Sequence, residues 1–146
     1  MAPKKLLNIF WFRRDLRLSD NAGLYYALKS ELNILPLFIF DRNILDKLED
    51  KDDARVTFIY NSLRDLAQQL HKIGSSILIK NAIPEKAFEE IFTEFDIQTV
   101  FTNHDYEPYA RKRDEQIKNL LESKGIQFQT FKDQVVFEKN EICKDD

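Results

Sequence analysis

Polar side chains gather just after the apolar runs of this chain. Arg13, Arg14 and Arg17 follow the run Leu6–Phe12, Asp41 follows the run Ile34–Phe40, and Asn103, Asp105, Tyr106 and Glu107 follow Thr99–Thr102. If these runs are parallel strands, their carboxyl ends lie on one edge of a sheet, the edge at which open α/β sheets bind ligands. Guanidinium donors beside carboxylate and amide acceptors suit a ligand that offers both acceptors and donors on a flat apolar body, with Phe12, Phe38 or Phe40 as its wall. A second reading stands beside this one. The arginines pair with Asp15, Asp20 and other acids to hold a tight turn, and Glu107, next to Pro108, only caps a helix. His104 reads as a surface loop residue and Arg111-Lys112-Arg113 as a solvated helix face.

Several chemistries are excluded. The three glycines stand at 23, 74 and 125, none in the first strand-to-helix turn. Dinucleotide and P-loop folds need glycine there so that backbone amides can approach a phosphate, and a generic nucleotide-binding domain of stress-protein type lacks its loop for the same reason. A receiver domain needs paired acids where this chain has paired arginines, and no nucleophile elbow is present. His71, His104 and Cys143 fall in no zinc-ligand spacing. The single cysteine excludes an internal disulfide and fits a reducing compartment.

The elements that must position the polar residues follow from apolar spacing. Leu6–Phe12 is too short to cross a bilayer and too continuously apolar for a half-exposed strand, so it reads as a buried central strand. A helix over Asn21–Lys29, capped by Asp20, turns Leu24, Ala27 and Leu28 inward. The second strand covers Ile34–Phe40, and a loop with a short helical turn runs from Arg42 to Asp53. Val56, Ile59, Leu63, Leu66, Leu70 and Ile73 form one helical stripe, capped by Asp52 or Asp53 and stopped by Gly74. A third strand is expected over Ser76–Lys80. Pro84 opens a helix carrying Ala87, Phe88, Ile91, Phe92 and Phe95, and Thr99–Thr102 is a fourth strand. Pro108 opens the last helix, with Ile117, Leu120 and Leu121 inward until Gly125; Ile126–Phe131 is the fifth strand and Val135–Phe137 a small extra one. This alternation specifies an α/β chain, a three-layer open sheet of five mainly parallel strands with helices on both faces.

The 146 residues fit one domain, and 43% hydrophobic content supports a real core. A net charge of -3 with interspersed signs gives no global attraction to nucleic acid or membrane. The amino-terminal stretch has no small-residue cleavage site, so a cytoplasmic protein is expected.

Phe10-Trp11-Phe12-Arg13-Arg14-Asp15-Leu16-Arg17-Leu18-Ser19-Asp20-Asn21 resembles the opening motif of the DNA photolyase and cryptochrome family. The likeness continues through Phe38-Ile39-Phe40-Asp41, Ala54-Arg55-Val56, the stretch from Asn103-His104-Asp105-Tyr106-Glu107-Pro108 to Asp114, and Asp133-Gln134-Val135-Val136-Phe137, so it covers essentially the whole chain. The wording Glu107-Pro108-Tyr109-Ala110 looks closest to class I cyclobutane pyrimidine dimer photolyases. The resemblance implies a Rossmann-like antenna domain over 1–146 that carries a deazaflavin or folate chromophore, or FMN, in a cleft facing a helical domain. In the family that second domain binds FAD, holds damaged DNA and splits the dimers under blue light, and it is missing from these residues. The full-length parent is therefore expected to be a deoxyribodipyrimidine photo-lyase, a flavoprotein of DNA repair, and the fragment alone inactive, with no catalytic residue of its own. Residue by residue, Arg14, Asp41, Arg55, Asp105 and Glu107 match positions that contact a deazaflavin-type antenna in related photolyases, and Glu107 would also lie near a folate. Asn103 and Phe38 complete the expected cofactor-binding set. The implied partners are the helical FAD domain and, through it, damaged DNA, with no membrane and no metal. A cryptochrome-type blue-light signalling module is the alternative.

Overall fold

The computed structural model describes residues 3–46 and 54–132. Strands β1 (Lys5–Phe12), β2 (Ile34–Asp41), β3 (Leu78–Ala82), β4 (Phe95–Asn103) and β5 (Gln127–Phe131) form one sheet in the order β3-β2-β1-β4-β5. Every pairing is parallel. Helices α1 (Ala22–Lys29), α2 (Arg42–Leu45), α3 (Ala54–Lys72), α4 (Pro84–Glu94) and α5 (Pro108–Ser123) lie in the connections. The three-layer α/β architecture expected from the alternation is the one observed.

β1 occupies the middle because both of its faces are apolar. Leu7, Ile9 and Trp11 join Phe88 and Ile91 of α4 and Ile117 and Leu121 of α5 in one core. Phe10 and Phe12 join Leu24 and Ala27 of α1 and Leu63, Leu66 and Leu70 of α3 in the other. The period of two along a strand thus assigns each side chain to one helical layer. Order reverses between β1 and β4, so the carboxyl ends of these two strands flank the topological switch point.

One polar residue is buried within the strand. Leu7 pairs with Ile97 but Ile9 with Val100, so β4 carries one extra residue at this point. Asn8, 1% exposed, fills the irregularity: its Oδ1 accepts from the Thr99 N–H at 2.9 Å and its Nδ2 donates to Ser30 Oγ at 3.0 Å.

Several boundaries differ from expectation. Asn21, not Asp20, caps α1, with its Oδ1 accepting from the Leu24 N–H at 3.1 Å; Asp20 instead takes a positive φ of 52°. Leu28 is 65% exposed because the buried arc of α1 runs over Gly23, Leu24 and Ala27, roughly a quarter turn away. Ile73 is 71% exposed, lying past the end of α3 as the chain turns into Gly74, whose φ is +79°. β3 sits two residues later than Ser76–Lys80, since its Leu78 to Ala82 pair with Leu37 to Asp41. β4 begins earlier, at Phe95, which was expected on the preceding helix. The Asp52 or Asp53 cap and the Val135–Phe137 strand lie outside the described residues. Among the described residues no helix is long and apolar enough to cross a membrane, and no cluster of His, Cys, Asp and Glu could hold a metal ion.

Asn8→Leu should destabilise the chain by about 2 kcal/mol, because the Thr99 N–H and Ser30 hydroxyl lose a buried partner. A urea unfolding midpoint unchanged from the native chain would contradict this.

Candidate functional site at the carboxyl edge of the sheet

The side chain of Arg13 continues the Leu7, Ile9, Trp11 face, so β1 delivers a guanidinium into the layer beneath α5. It is 9% exposed, lies 5.0 Å from the Trp11 ring centroid, and donates to the Asp114 carboxylate of α5 and to the Asn103 carbonyl of β4. Arg113 enters the same layer from α5, 5.2 Å from the Trp11 centroid and 5.9 Å from that of Tyr109. Its three nitrogens face three aspartates: Nε to Asp114 at 3.4 Å, Nη2 to Asp105 at 3.6 Å and Nη1 to Asp41 at 4.0 Å. Burial pulls the Arg113 guanidinium below its ordinary value and Arg13 adds to that, while Asp114, Asp105 and Asp41 oppose it.

Asp41 is fixed from both sides. The Asn43 N–H donates to its Oδ1 at 2.9 Å, capping α2, and the Tyr109 hydroxyl donates to its Oδ2 at 2.7 Å. Asp105 accepts the Glu107 N–H on Oδ1 at 3.2 Å. Above this layer Arg14 reaches Glu107 at 3.0 Å and Asp105 at 3.9 Å. Arg14 and Glu107 are more than half exposed and Asp105 is buried, so signs alternate inward from solvent as Glu107, Arg14, Asp105, Arg113, Asp41. The exits of β1, β2 and β4 therefore converge on one rim.

A second polar cluster occupies the α1 side of the switch point. Asn103, 3% exposed, donates from Nδ2 to the Asp15 carboxylate and to Asn21 Oδ1 at 2.8 Å, and its Oδ1 accepts the Gly23 N–H of α1 at 2.8 Å. Asp15 also accepts the Arg13 N–H at 2.9 Å. The helix N-terminus that cradles phosphate in dinucleotide folds is thus filled by a carboxamide of the chain itself. A Cβ built on Gly23 would lie 2.7 Å from Asn103 Oδ1 and 2.8 Å from Phe10 Cε1, so glycine is needed here for close approach.

The expected site residues separate accordingly. Arg14, Asp41, Asp105 and Glu107 come together through Arg113, and Asn103 sits in the neighbouring cluster. Arg55 is exposed in the first turn of α3. Phe38 and Phe12 are core residues, 6% and 0% exposed, on the α1/α3 face, whereas Asp41 follows Leu37 and Ile39 to the other face. The expected wall of Phe12 and Phe38 is consequently closed, and Phe40 is half-buried against the same core. Arg13 does not pair with Asp15 through its guanidinium, and Arg17 donates to the Asp20 carbonyl at 2.8 and 3.1 Å, not to its carboxylate. His104 lies between Tyr106 Oη at 3.2 Å and Thr130 Oγ1 at 2.8 Å.

Arg113 overturns the solvated-face reading, being 7% exposed while Arg111 and Lys112 are exposed. The signal was available: Ala110, Arg113, Ile117 and Leu121 share one helical stripe. Tyr109 had no comparable signal, since its role depends on the distant Asp41.

A parallel sheet of this topology, covered by helices on both faces, defines an open α/β domain. The DNA photolyase family profile matches residues 8–146. A deoxyribodipyrimidine photo-lyase of Synechococcus is 34% identical over 92% of this chain and 28% of its own length. A solved photolyase of Sulfolobus tokodaii, described with two FAD molecules and as implying a novel light-harvesting cofactor, superposes with a TM-score of 0.84 at 36% identity, over 93% of this chain and 31% of that one. Cryptochrome-1 of Aedes aegypti is 34% identical over 77% of this chain and 22% of its own length. The chain belongs to the DNA photolyase family, and it spans under a third of the length of these relatives.

Burial, then the hydrogen bond to Asp41, pushes the Tyr109 phenol from 10.0 up to about 12. The folded chain holds this proton longer than the unfolded one, so the stability it contributes is intact below about pH 10 and is lost as pH rises through about 12. Asp41→Asn should move one phenolate step of the ultraviolet titration down toward the ordinary value, and a titration identical to that of the native chain would contradict the pairing. Gly23→Ala should cost about 1–3 kcal/mol in urea unfolding by forcing Asn103 and Phe10 apart.

Proposed function

We propose that residues 1–146 are the light-harvesting antenna domain of a deoxyribodipyrimidine photolyase, holding a planar chromophore at the rim formed by the exits of β1, β2 and β4. The observation that carries this reading is the ionic chain from Glu107 through Arg14, Asp105 and Arg113 to Asp41, within a member of the photolyase family. Arg14 and Glu107 are accessible and, among the described residues, pair with acids and bases of the rim, so each can exchange a protein partner for a ring carbonyl or ring N–H. Of the expected wall residues, Phe40 alone is not fully buried.

The donor set fits a flavin, deazaflavin or pterin ring. A second FAD in the photolyase of Sulfolobus tokodaii supports the flavin class. A nucleotide tail would have to lie away from α1, because Asn103 and Asp15 fill the position at its N-terminus. When bound, the chromophore would supply absorption of blue or near-ultraviolet light, while Arg14, Asp41, Asp105 and Glu107 bind and orient it, with Arg55 and Asn103 in supporting positions. FAD chemistry and damaged DNA belong to the helical domain of a longer protein acting in the cytoplasm. The class I assignment is supported by the wording Glu107-Pro108-Tyr109-Ala110.

Mixing the chain with FMN, FAD, a 5-deazaflavin and a folate, then desalting, should leave one of them bound in roughly stoichiometric amount. Arg14→Ala with Glu107→Ala should weaken retention by about tenfold. Failure to retain any of the four would overturn the antenna reading. Dimer repair under blue light by a fusion with a photolyase helical domain separates the enzyme from a cryptochrome-type signalling module.

A further inference from the structure

Among the described residues, Arg113 alone faces all three aspartates of the rim layer, and it does so with a different nitrogen for each. A planar guanidinium has this divergent fork and an ammonium does not. The plane is supported by Trp11, at 5.2 Å, and by Tyr109, at 5.9 Å. Its side chain is 8% exposed and Nη2, though buried, has no hydrogen-bond partner, being 3.6 Å from Asp105 Oδ2. An arrangement that leaves a buried donor short of a partner costs stability, and such local inconsistencies are kept where a site needs them.

We propose that Arg113 is the positioning residue of this rim: it lies beneath Asp41 and Asp105, outside a ligand's reach, and sets the two carboxylates apart and facing the chromophore. The ligand's identity rests on the antenna reading, whereas the positioning does not. Every charged group around Arg113 is accounted for in this arrangement. Arg13 comes from β1, Asp41 from the end of β2, Asp105 from the β4 exit, Tyr109 and Asp114 from α5 itself, and Arg14 with Glu107 close the solvent side. Removing Arg113 would leave two buried carboxylates without the cation they share, and each can then swing off the amide it accepts, Asp41 from Asn43 and Asp105 from Glu107.

Two backbone amides report on this without any ligand. The Asn43 N–H ends on Asp41 and the Glu107 N–H on Asp105, so both are protected only while the carboxylates stay in place. In Arg113→Gln both amides should exchange with deuterium at least about tenfold faster, while amides inside β1 keep their native rates. Arg111→Gln, on the solvated face of α5, should change neither. Should Arg113→Gln fail to fold, Arg113→Lys serves, since it keeps the charge but loses the fork, and both amides should still be freed. FMN and a 5-deazaflavin are then titrated against each chain, reading the quenching of Trp11, the single tryptophan. Affinity should fall about tenfold or more in both Arg113 variants. Unchanged exchange at both amides in a folded variant overturns the proposal. Freed amides in a chain whose native form binds none of FMN, FAD, a 5-deazaflavin and a folate uphold the positioning and overturn the antenna reading instead.

Discussion

The burial of Arg13 at the end of the central strand is the constraint on which the carboxyl edge depends. From Leu7 to Phe12 β1 is buried on both faces, so the first charged residue after it arrives inside the protein before the chain reaches solvent. An unpaired guanidinium there would be expensive, and the surroundings are arranged to answer it. Asp114 supplies the opposing charge, the Asn103 carbonyl accepts a second N–H, and the face of Trp11 lies against the cation. β1 is thereby tied at one point to two consecutive elements far along the chain, the exit of β4 and α5.

Arg113 extends the same solution to β2. A second buried cation brings Asp41 and Asp105 toward the layer, and Tyr109 closes on Asp41 from the helix. Buried ion pairs add little net stability, but breaking one by removing a partner typically costs about 3–5 kcal/mol. They therefore act less as glue than as a specification of which strand exits meet. The acids and bases most open to exchange are the outermost, Arg14 and Glu107.

The opposite side of the switch point is occupied by Asp15, Asn21 and Asn103 around the amino end of α1. Gly23 allows the approach, and the Asn103 carboxamide takes the amide that a phosphate would take elsewhere. A family resemblance carried by the Phe12-Arg13-Arg14-Asp15 motif thus acquires a physical meaning. The motif closes the phosphate seat on one face of the sheet and builds an ionic layer on the other.

The amino-acid sequence by itself determined the element order, the central place of β1, the absence of a phosphate loop and the strand exits that bear polar groups, because each follows from local spacing or from a missing residue type. Placing Arg14, Asp41, Asp105 and Glu107 on a single edge required only the parallel sheet. Tertiary structure decided the rest. Strand alternation sent Phe38 into the α1/α3 core and Asp41 to the other face, which an apolar run without a polar partner pattern does not reveal. Helical phase put Arg113 inside although its neighbours Arg111 and Lys112 are solvated, and the aspartates of β2 and of the β4 exit, with Asp114 beside it, make that burial tolerable. Charges are neutralised by partners far away in the chain, and distance in sequence carries no record of which ones.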